Sequence, residues 1–249
     1  GKVTDPYIGY VGAYPYAEVV SGYTAFFLGI RSIVPEAHMD VQYTQEWFDI
    51  VKESEAANAL MARGCVIIGQ HADSTGAPSA VQAKYEAGET VFSVGYNIDM
   101  LDTAPTAALT SATNVWKVYY KELSEGAQAG SIPQDWCKGY EDGAVAITDL
   151  GPEAAEGTAA KVAEVEAALK DGSLHVFDTS KFTVDGKEVT SCPVDLTYYD
   201  FSTGSPVAVY QGETKEAISD GYFHEGELRA APTFSLRIDG IIEDADPVA

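Results

Sequence analysis

Five aromatic residues, Tyr14, Tyr16, Trp47, Phe48 and Tyr96, fall where short apolar runs give way to polar loops. The same loops carry His71, Asp73, Ser74, Asn97 and Asp99. Flat rings beside carboxylates and amides suit a planar polar guest. Stacking supplies area and orientation, while hydrogen bonds to the ring edge and any sugar hydroxyls supply specificity. Stacking one base on one aromatic is worth about 1–3 kcal/mol. Trp47 is read as the stacking residue and Phe48 as packing at a strand–loop boundary. Trp47→Ala is therefore expected to lose affinity with little loss of stability. The rival chemistry is an enzyme using His71, Asp73 and Asp99 for acid–base work. It lacks company: there is no Gly-x-Ser-x-Gly and no glycine-rich phosphate loop. The four histidines (His38, His71, His175, His224) show no His-x-x-x-His spacing. Three scattered cysteines, Cys65, Cys137 and Cys192, suit neither a disulfide framework nor a Cys-rich metal site. No metal or cofactor is expected, and the cysteines are read as unpaired, with one pair open to them in an oxidising compartment.

The elements that must position these loops alternate between two periods. Tyr7–Ala13, Met39–Tyr43, Cys65–Gly69 and Val91–Gly95 are short apolar runs of buried-strand type. Between them, Val19, Tyr23, Phe26, Phe27 and Ile30 recur at helical spacing, and Pro35 closes that segment. Asp49 is placed to cap a second helix carrying Val51, Ala56, Leu60 and Met61, which stops at Gly64. Pro78 and Gly88 bracket a third helix. Strand–helix units at this pace, with strands apolar on both faces, predict an α/β fold: a doubly wound parallel sheet covered by helices on each side. Ligands of such sheets sit outside the carboxyl ends of the strands, where strand order reverses. That rule selects Tyr14–Tyr16, Thr44–Asp49, Gln70–Thr75 and Tyr96–Asp99.

Beyond Pro105 the pattern continues less cleanly. Ala108–Ser111 reads as a strand, Val115, Val118, Tyr119 and Leu123 as a helix face, and Ala144–Thr148 as a short strand. Val162, Val165 and Leu169 mark a helix, and Leu174–Phe177 a further strand. Asp185-Gly186 is a hairpin signature, and Tyr198–Tyr210 and Phe234–Ile242 are β-prone. Three segments result: an α/β lobe over 6–110, a crossover with the remaining α/β elements over 111–180, and a β-rich extension over 181–249 from which no site is read.

With 15 basic and 38 acidic residues the chain carries a net charge of −23. Both halves are negative, so the surplus belongs to a solvated surface rather than an acidic tail. Such a surface repels phosphate backbones, which excludes sequence-independent nucleic-acid binding. It also offers nothing to a regulatory sensor lobe, which would need a helix-turn-helix segment upstream. No apolar run approaches the roughly 18–20 residues of a membrane span. The opening Gly1–Pro6 has no basic stretch followed by an apolar core, so no signal peptide is read in it.

The site residues and their surroundings form five blocks: Ile8–Pro15, Trp47–Leu60, Gly69–Ser74, Val94–Met100 and Leu109–Ser111. In order and spacing they resemble the basic membrane protein (PnrA-like) family, the extracytoplasmic substrate-binding lipoproteins of ABC importers. The resemblance implies a type I periplasmic-binding fold, in which two hinged α/β lobes close on a purine nucleoside or related base. It implies that Trp47 stacks on the base and that His71–Ser74 lines the pocket. Asn97 and Asp99 match an Asp-x-Asp pair approaching ribose and ring edge, with Asn replacing the first Asp. Asn114 stands where nucleoside-binding members carry a Lys. Losing a carboxylate and a cation suits the pocket to a free nucleobase or another flat heterocycle. The candidate ligand-binding set is Trp47, Asp73, Asn97, Asp99, Tyr96, His71 and Tyr14. The chain starts where the family's second lobe starts, so the reading is of a lobe lacking most of the N-terminal one. The implied partners are a small purine-like ligand, an ABC permease and that N-terminal lobe. The implied location is extracytoplasmic, membrane-anchored as a lipoprotein.

Overall fold

The computed structural model describes residues 6–133, 136–200, 206–229 and 231–244. Its first half is β1 (Tyr7–Gly12), α1 (Ala17–Arg31), β2 (His38–Tyr43), α2 (Ile50–Ala62), β3 (Ile67–His71), α3 (Gly76–Glu86), β4 (Phe92–Tyr96) and β5 (Ala108–Asn114). The expected stop and start signals do their work. Asp49 Oδ1 accepts from the Val51 and Lys52 amides at 2.9 and 3.0 Å, satisfying two otherwise orphaned donors at the start of α2. Gly64, at φ +102°, turns the chain out of that helix into β3.

These strands are parallel, in the order β2-β1-β3-β4-β5. The doubly wound parallel sheet is therefore present, and its order reverses at β1. Alternating side chains feed two cores. Ile8, Tyr10, Met39, Val41 and Tyr43 pack with Val19, Val20, Tyr23 and Phe27 of α1. Val11 and Ile68 pack on the other face with Ala56, Ala57 and Leu60 of α2 and with Ala77 and Val81 of α3. Helix α2 lies close because Gly9 leaves room: a Cβ there would meet Ile68 Cδ1 at 2.7 Å and Leu60 Cβ at 3.0 Å.

The remaining elements are α4 (Trp116–Ala129), β6 (Val145–Ile147), α5 (Thr158–Lys170) and a 3-10 turn at Thr179–Lys181. There follow β7 (Pro193–Asp195), β8 (Tyr198–Asp200), β9 (Val207–Tyr210), β10 (Thr214–Glu216), β11 (Ile218–Ser219), β12 (Tyr222–Phe223) and β13 (Ile241–Asp244). Strand β6 runs antiparallel to β5. The expected strand at Leu174–Phe177 is not formed. Leu174 and Val176 point to solvent and only Phe177 is buried; the run meets β12 only at its end, where Phe177 O accepts from the Phe223 amide at 3.0 Å and Asp178 bridges Tyr222, which is too short a pairing for a strand. The Asp-Gly hairpin is formed: Asp185 and Gly186 sit at φ +51° and +71°, and Val184 and Lys187 exchange backbone hydrogen bonds of 3.0 and 3.1 Å. The β-prone Tyr198–Tyr210 segment supplies β8 and β9, while residues 234–240 form no strand and pairing begins at Ile241. No disulfide links the three cysteines.

The last third of the chain is integrated into the lobe. Phe177, Phe182, Phe223, Phe234 and Ile238 join the cluster around α1, with the Phe177 and Phe234 rings stacked at 4.2 Å. Strand β13 returns to pair in parallel with β2, in the register Ile241↔Met39 to Asp244↔Gln42. The described sheet thus has seven strands in the order β13-β2-β1-β3-β4-β5-β6.

Candidate functional site

The order reversal at β1 places the carboxyl ends of β1, β2 and β3 side by side, and the backbone ties their loops together. The Ala13 amide donates to His71 O (3.2 Å), Thr44 to Gly12 O (2.9 Å) and Gln45 to Ala13 O (2.9 Å). The Asp73 amide donates to Trp47 O at 2.7 Å, which fixes the β3–α3 loop against the β2–α2 loop.

One half of this edge is aromatic. The Tyr14 and Tyr16 rings stack at 5.1 Å and 11°, and the Trp47 ring lies 5.6 Å from the first and 6.5 Å from the second. Tyr16 is exposed. Trp47 is partly buried and touches both cores, so the indole is neither sealed nor free. That changes the expectation of a stability-neutral Trp47→Ala, because the ring contributes to packing as well as to the surface. Phe48, read as a packing residue, is 65% exposed instead. Its neighbour Asp49 must turn back to cap α2, and the intervening side chain is left facing water.

The other half is polar. His71 is buried, with its ring 4.2 Å from that of Tyr96 and its Nε2 3.9 Å from Glu18 Oε1 in the first turn of α1. Burial raises the Asp73 carboxyl above its usual range and Glu18 adds to the shift, while His71 opposes it. The Tyr96 phenol is pushed up to about 12, first by burial and then by Glu18 and Asp73, against a hydrogen bond with Asn114. The ends of β1, β3, β4 and β5 thus bring Glu18, His71, Asp73, Tyr96 and Asn114 into one electrostatic neighbourhood that is rich in carboxylate. Asn97 and Asp99 occupy the exposed turn after β4. Asn97 takes the left-handed conformation (φ +73°) that Asn tolerates. Asp99 Oδ1 accepts from the Leu101 amide at 2.9 Å, holding that turn. Among the described residues, no group of three His, Cys, Asp or Glu side chains is arranged to hold a metal ion.

Of the seven candidate residues, Tyr14 and Trp47 meet through their rings, as do His71 and Tyr96, and Asp73 links the two pairs. Sequence reasoning missed three supports. Glu18 and Gly22 face His71 from α1; their four-residue spacing was visible, but its target was not. Glu53 is completely buried, although Glu is a surface residue by habit. Its Oε1 accepts from the Asp49 amide at 3.3 Å and the Ser74 amide at 3.1 Å, so one carboxylate joins the two loops that carry Trp47 and Asp73. Burial raises the Glu53 carboxyl, and those hydrogen bonds oppose the rise. From the far end of the chain, Arg237 donates to Pro15 O at 3.4 Å and pairs with Glu243 at 2.8 Å. Glu243 in turn accepts from the Tyr23 and Tyr43 hydroxyls. The aromatic loop is thus backed by β13.

The profile of the family described as ABC transporter substrate-binding protein PnrA-like matches residues 4–173. A Haloferax volcanii protein, provisionally named ABC transporter glucose-binding protein TsgA13, is 36% identical over 190 residues, covering 76% of this chain and 47% of its own length. A purine-binding protein of Brucella abortus is 33% identical over 181 residues, covering 72% of this chain and 50% of its own. The chain spans about half the length of the curated relatives it matches. Among solved structures, an ABC transporter solute-binding protein of Conexibacter woesei superposes with a TM-score of 0.56 at 19% identity, over 69% of this chain and 57% of its own. One from Aeropyrum pernix K1 gives 0.57 at 16% identity, over 68% and 56%. At such identities the structural likeness concerns the fold.

Proposed function

The chain belongs to the PnrA-like family of ABC transporter substrate-binding proteins, and on that premise we propose that it forms one wall of a solute-binding cleft for a purine-type nucleobase or nucleoside. The carrying observation is the Tyr14–Tyr16–Trp47 aromatic group beside the His71–Asp73–Tyr96 polar group, at the point where strand order reverses. A flat heterocycle lies against the aromatic half. Asp73, with Asn97 and Asp99 on the neighbouring turn, accepts from ring N–H, amino or ribose hydroxyl groups. The polar half contains no lysine or arginine, which favours an uncharged ligand over a nucleotide. The opposing wall comes from a further lobe, and ligand binding favours the closed arrangement of the two through its higher affinity for that state. In this reading the protein binds and hands over without chemistry of its own. It works on the extracytoplasmic side as a membrane-anchored lipoprotein and delivers to an ABC permease.

The Brucella relative's name supports a purine. The Haloferax relative's name supports glucose, and the same arrangement allows it, because an aromatic face also covers a pyranose ring and carboxylates accept its hydroxyls. Calorimetric titration of the full-length protein with adenine, guanine, inosine, guanosine and glucose decides between them. Saturable binding of at least one purine is expected. Binding of glucose alone replaces the purine reading with a sugar one, and a folded sample that binds none of the five refutes both.

A further inference from the structure

Three residues from two elements converge on the imidazole of His71. Glu18 and Gly22 of α1 are four residues apart and so share one helix face. Glu18 Oε1 is 3.9 Å from Nε2. A Cβ added at Gly22 would fall 2.5 Å from Nδ1 and 3.1 Å from Cε1, so the ring occupies the room a side chain at position 22 would take. Tyr96 covers the ring from β4 at 4.2 Å and 40°. The His71 side chain is only 8% exposed, and its Nε2 has no hydrogen-bond partner among the described residues.

Two costs meet here. A buried polar nitrogen without a partner is rare in native structures. A glycine inside a helix weakens it, and Gly22 does not have the positive φ that would require glycine. Both costs fall at the carboxyl end of β3, against the polar half of the site. We infer that Gly22 and Glu18 are positioning residues for ligand binding: they seat and orient His71 so that its Nε2 meets a polar group of the ligand. This rests on the solute-binding role proposed above.

The test is a double-mutant cycle in the full-length protein, read by calorimetry with adenine, guanine, inosine and guanosine and by thermal unfolding. Gly22→Ala is expected to weaken binding at least tenfold without lowering the melting temperature, since alanine favours the helix that the displaced ring leaves. His71→Ala weakens binding comparably, and Gly22→Ala adds nothing in the His71→Ala background, because glycine acts only through the ring. Glu18→Gln, an isosteric change at a half-exposed position, weakens binding about threefold and is likewise silent without His71. It decides the question if Gly22→Ala does not fold. Gly22→Ala binding within twofold of wild type, or single-variant losses that simply add, overturns the inference. A folded wild type that binds none of the four probes defeats the purine reading and this inference with it. In that event, a His71–Tyr96 ring proton contact that persists in Gly22→Ala shows separately that the glycine does not seat the ring.

Discussion

Trp47→Ala separates the two things the indole does. A tryptophan side chain buries about 150–250 Å² when enclosed. Trp47 is partly buried against both cores, so truncation exposes or empties about 100 Å². At about 25 cal/mol per Å² this costs about 2.5 kcal/mol of stability. For a chain of this size that corresponds to a fall in melting temperature of about 5–10 °C. The ring also offers its face beside Tyr14 and Tyr16, and loss of one stacking partner costs about 1–3 kcal/mol of binding. The dissociation constant should therefore rise about 5- to 150-fold. Scanning calorimetry reads the first effect. Isothermal titration with the best-binding purine reads the second, since the variant has lost the indole whose fluorescence a stacked ring would report. Trp47→Phe should recover part of both. A variant that melts lower but binds with unchanged affinity refutes the stacking argument and leaves Trp47 as a packing residue alone.

Four other perturbations have definite signs. At a net charge of −23 the folded surface repels itself, so raising KCl from 0.1 to 2 M, which shortens the screening length from about 10 Å to below 3 Å, should raise the melting temperature by about 5 °C or more; a flat melting curve series defeats this. Glu53→Gln keeps an acceptor for the Asp49 and Ser74 amides while removing a carboxyl that burial raises above its usual 4.5. A raised acid stabilises the fold fully below its unfolded value and loses that contribution as pH climbs through the folded one. The urea-unfolding difference between variant and wild type should therefore move in favour of Gln from pH 4.5 upward, and a pH-independent difference contradicts it. Gly76→Ala places a Cβ 2.3 Å from Ile50 O and 2.9 Å from Glu53 Cβ, forcing α2 and α3 apart; a loss of about 3 kcal/mol is expected. Gly29→Ala, with nothing within 4 Å on α1, should instead gain up to about 1 kcal/mol, and equal signs for the two would show that contact, rather than propensity, was misjudged.

The β1–β5 framework was readable because strands buried on both faces are unbroken apolar runs, and because Asp49 and Gly64 punctuate α2 by local chemistry. The loops at their carboxyl ends were therefore placed correctly, and with them Tyr14, Trp47, His71, Asp73 and Tyr96. What failed was whatever depends on distant partners. Leu174–Phe177 has the apolar character of a strand, but it meets its partner β12 only at its last residue. Strand β13 is four residues long, with Ile242 66% exposed, and acquires meaning only beside a strand some two hundred positions earlier. Glu18 and Gly22 were legible as helix positions, but their relation to His71 depends on how α1 sits over β3. Glu53 ran against its residue type, because two backbone amides from separate loops compensate its burial.

The pairing of β13 with β2 also sets an order of events during synthesis. Before residues 241–244 leave the ribosome, the outer backbone groups of Met39 to Gln42 have no strand beside them, although β1 already covers the inner side. A bare parallel edge of that kind invites pairing with another nascent chain. Closing it also requires ends far apart in the polypeptide to meet, a slow step in any parallel sheet. The Glu243 carboxylate, received by Tyr23 and Tyr43 and by Arg237, acts as a latch on that late arrival. A nascent polypeptide interrupted before residue 241 leaves β2 uncovered on that side and open to such pairing.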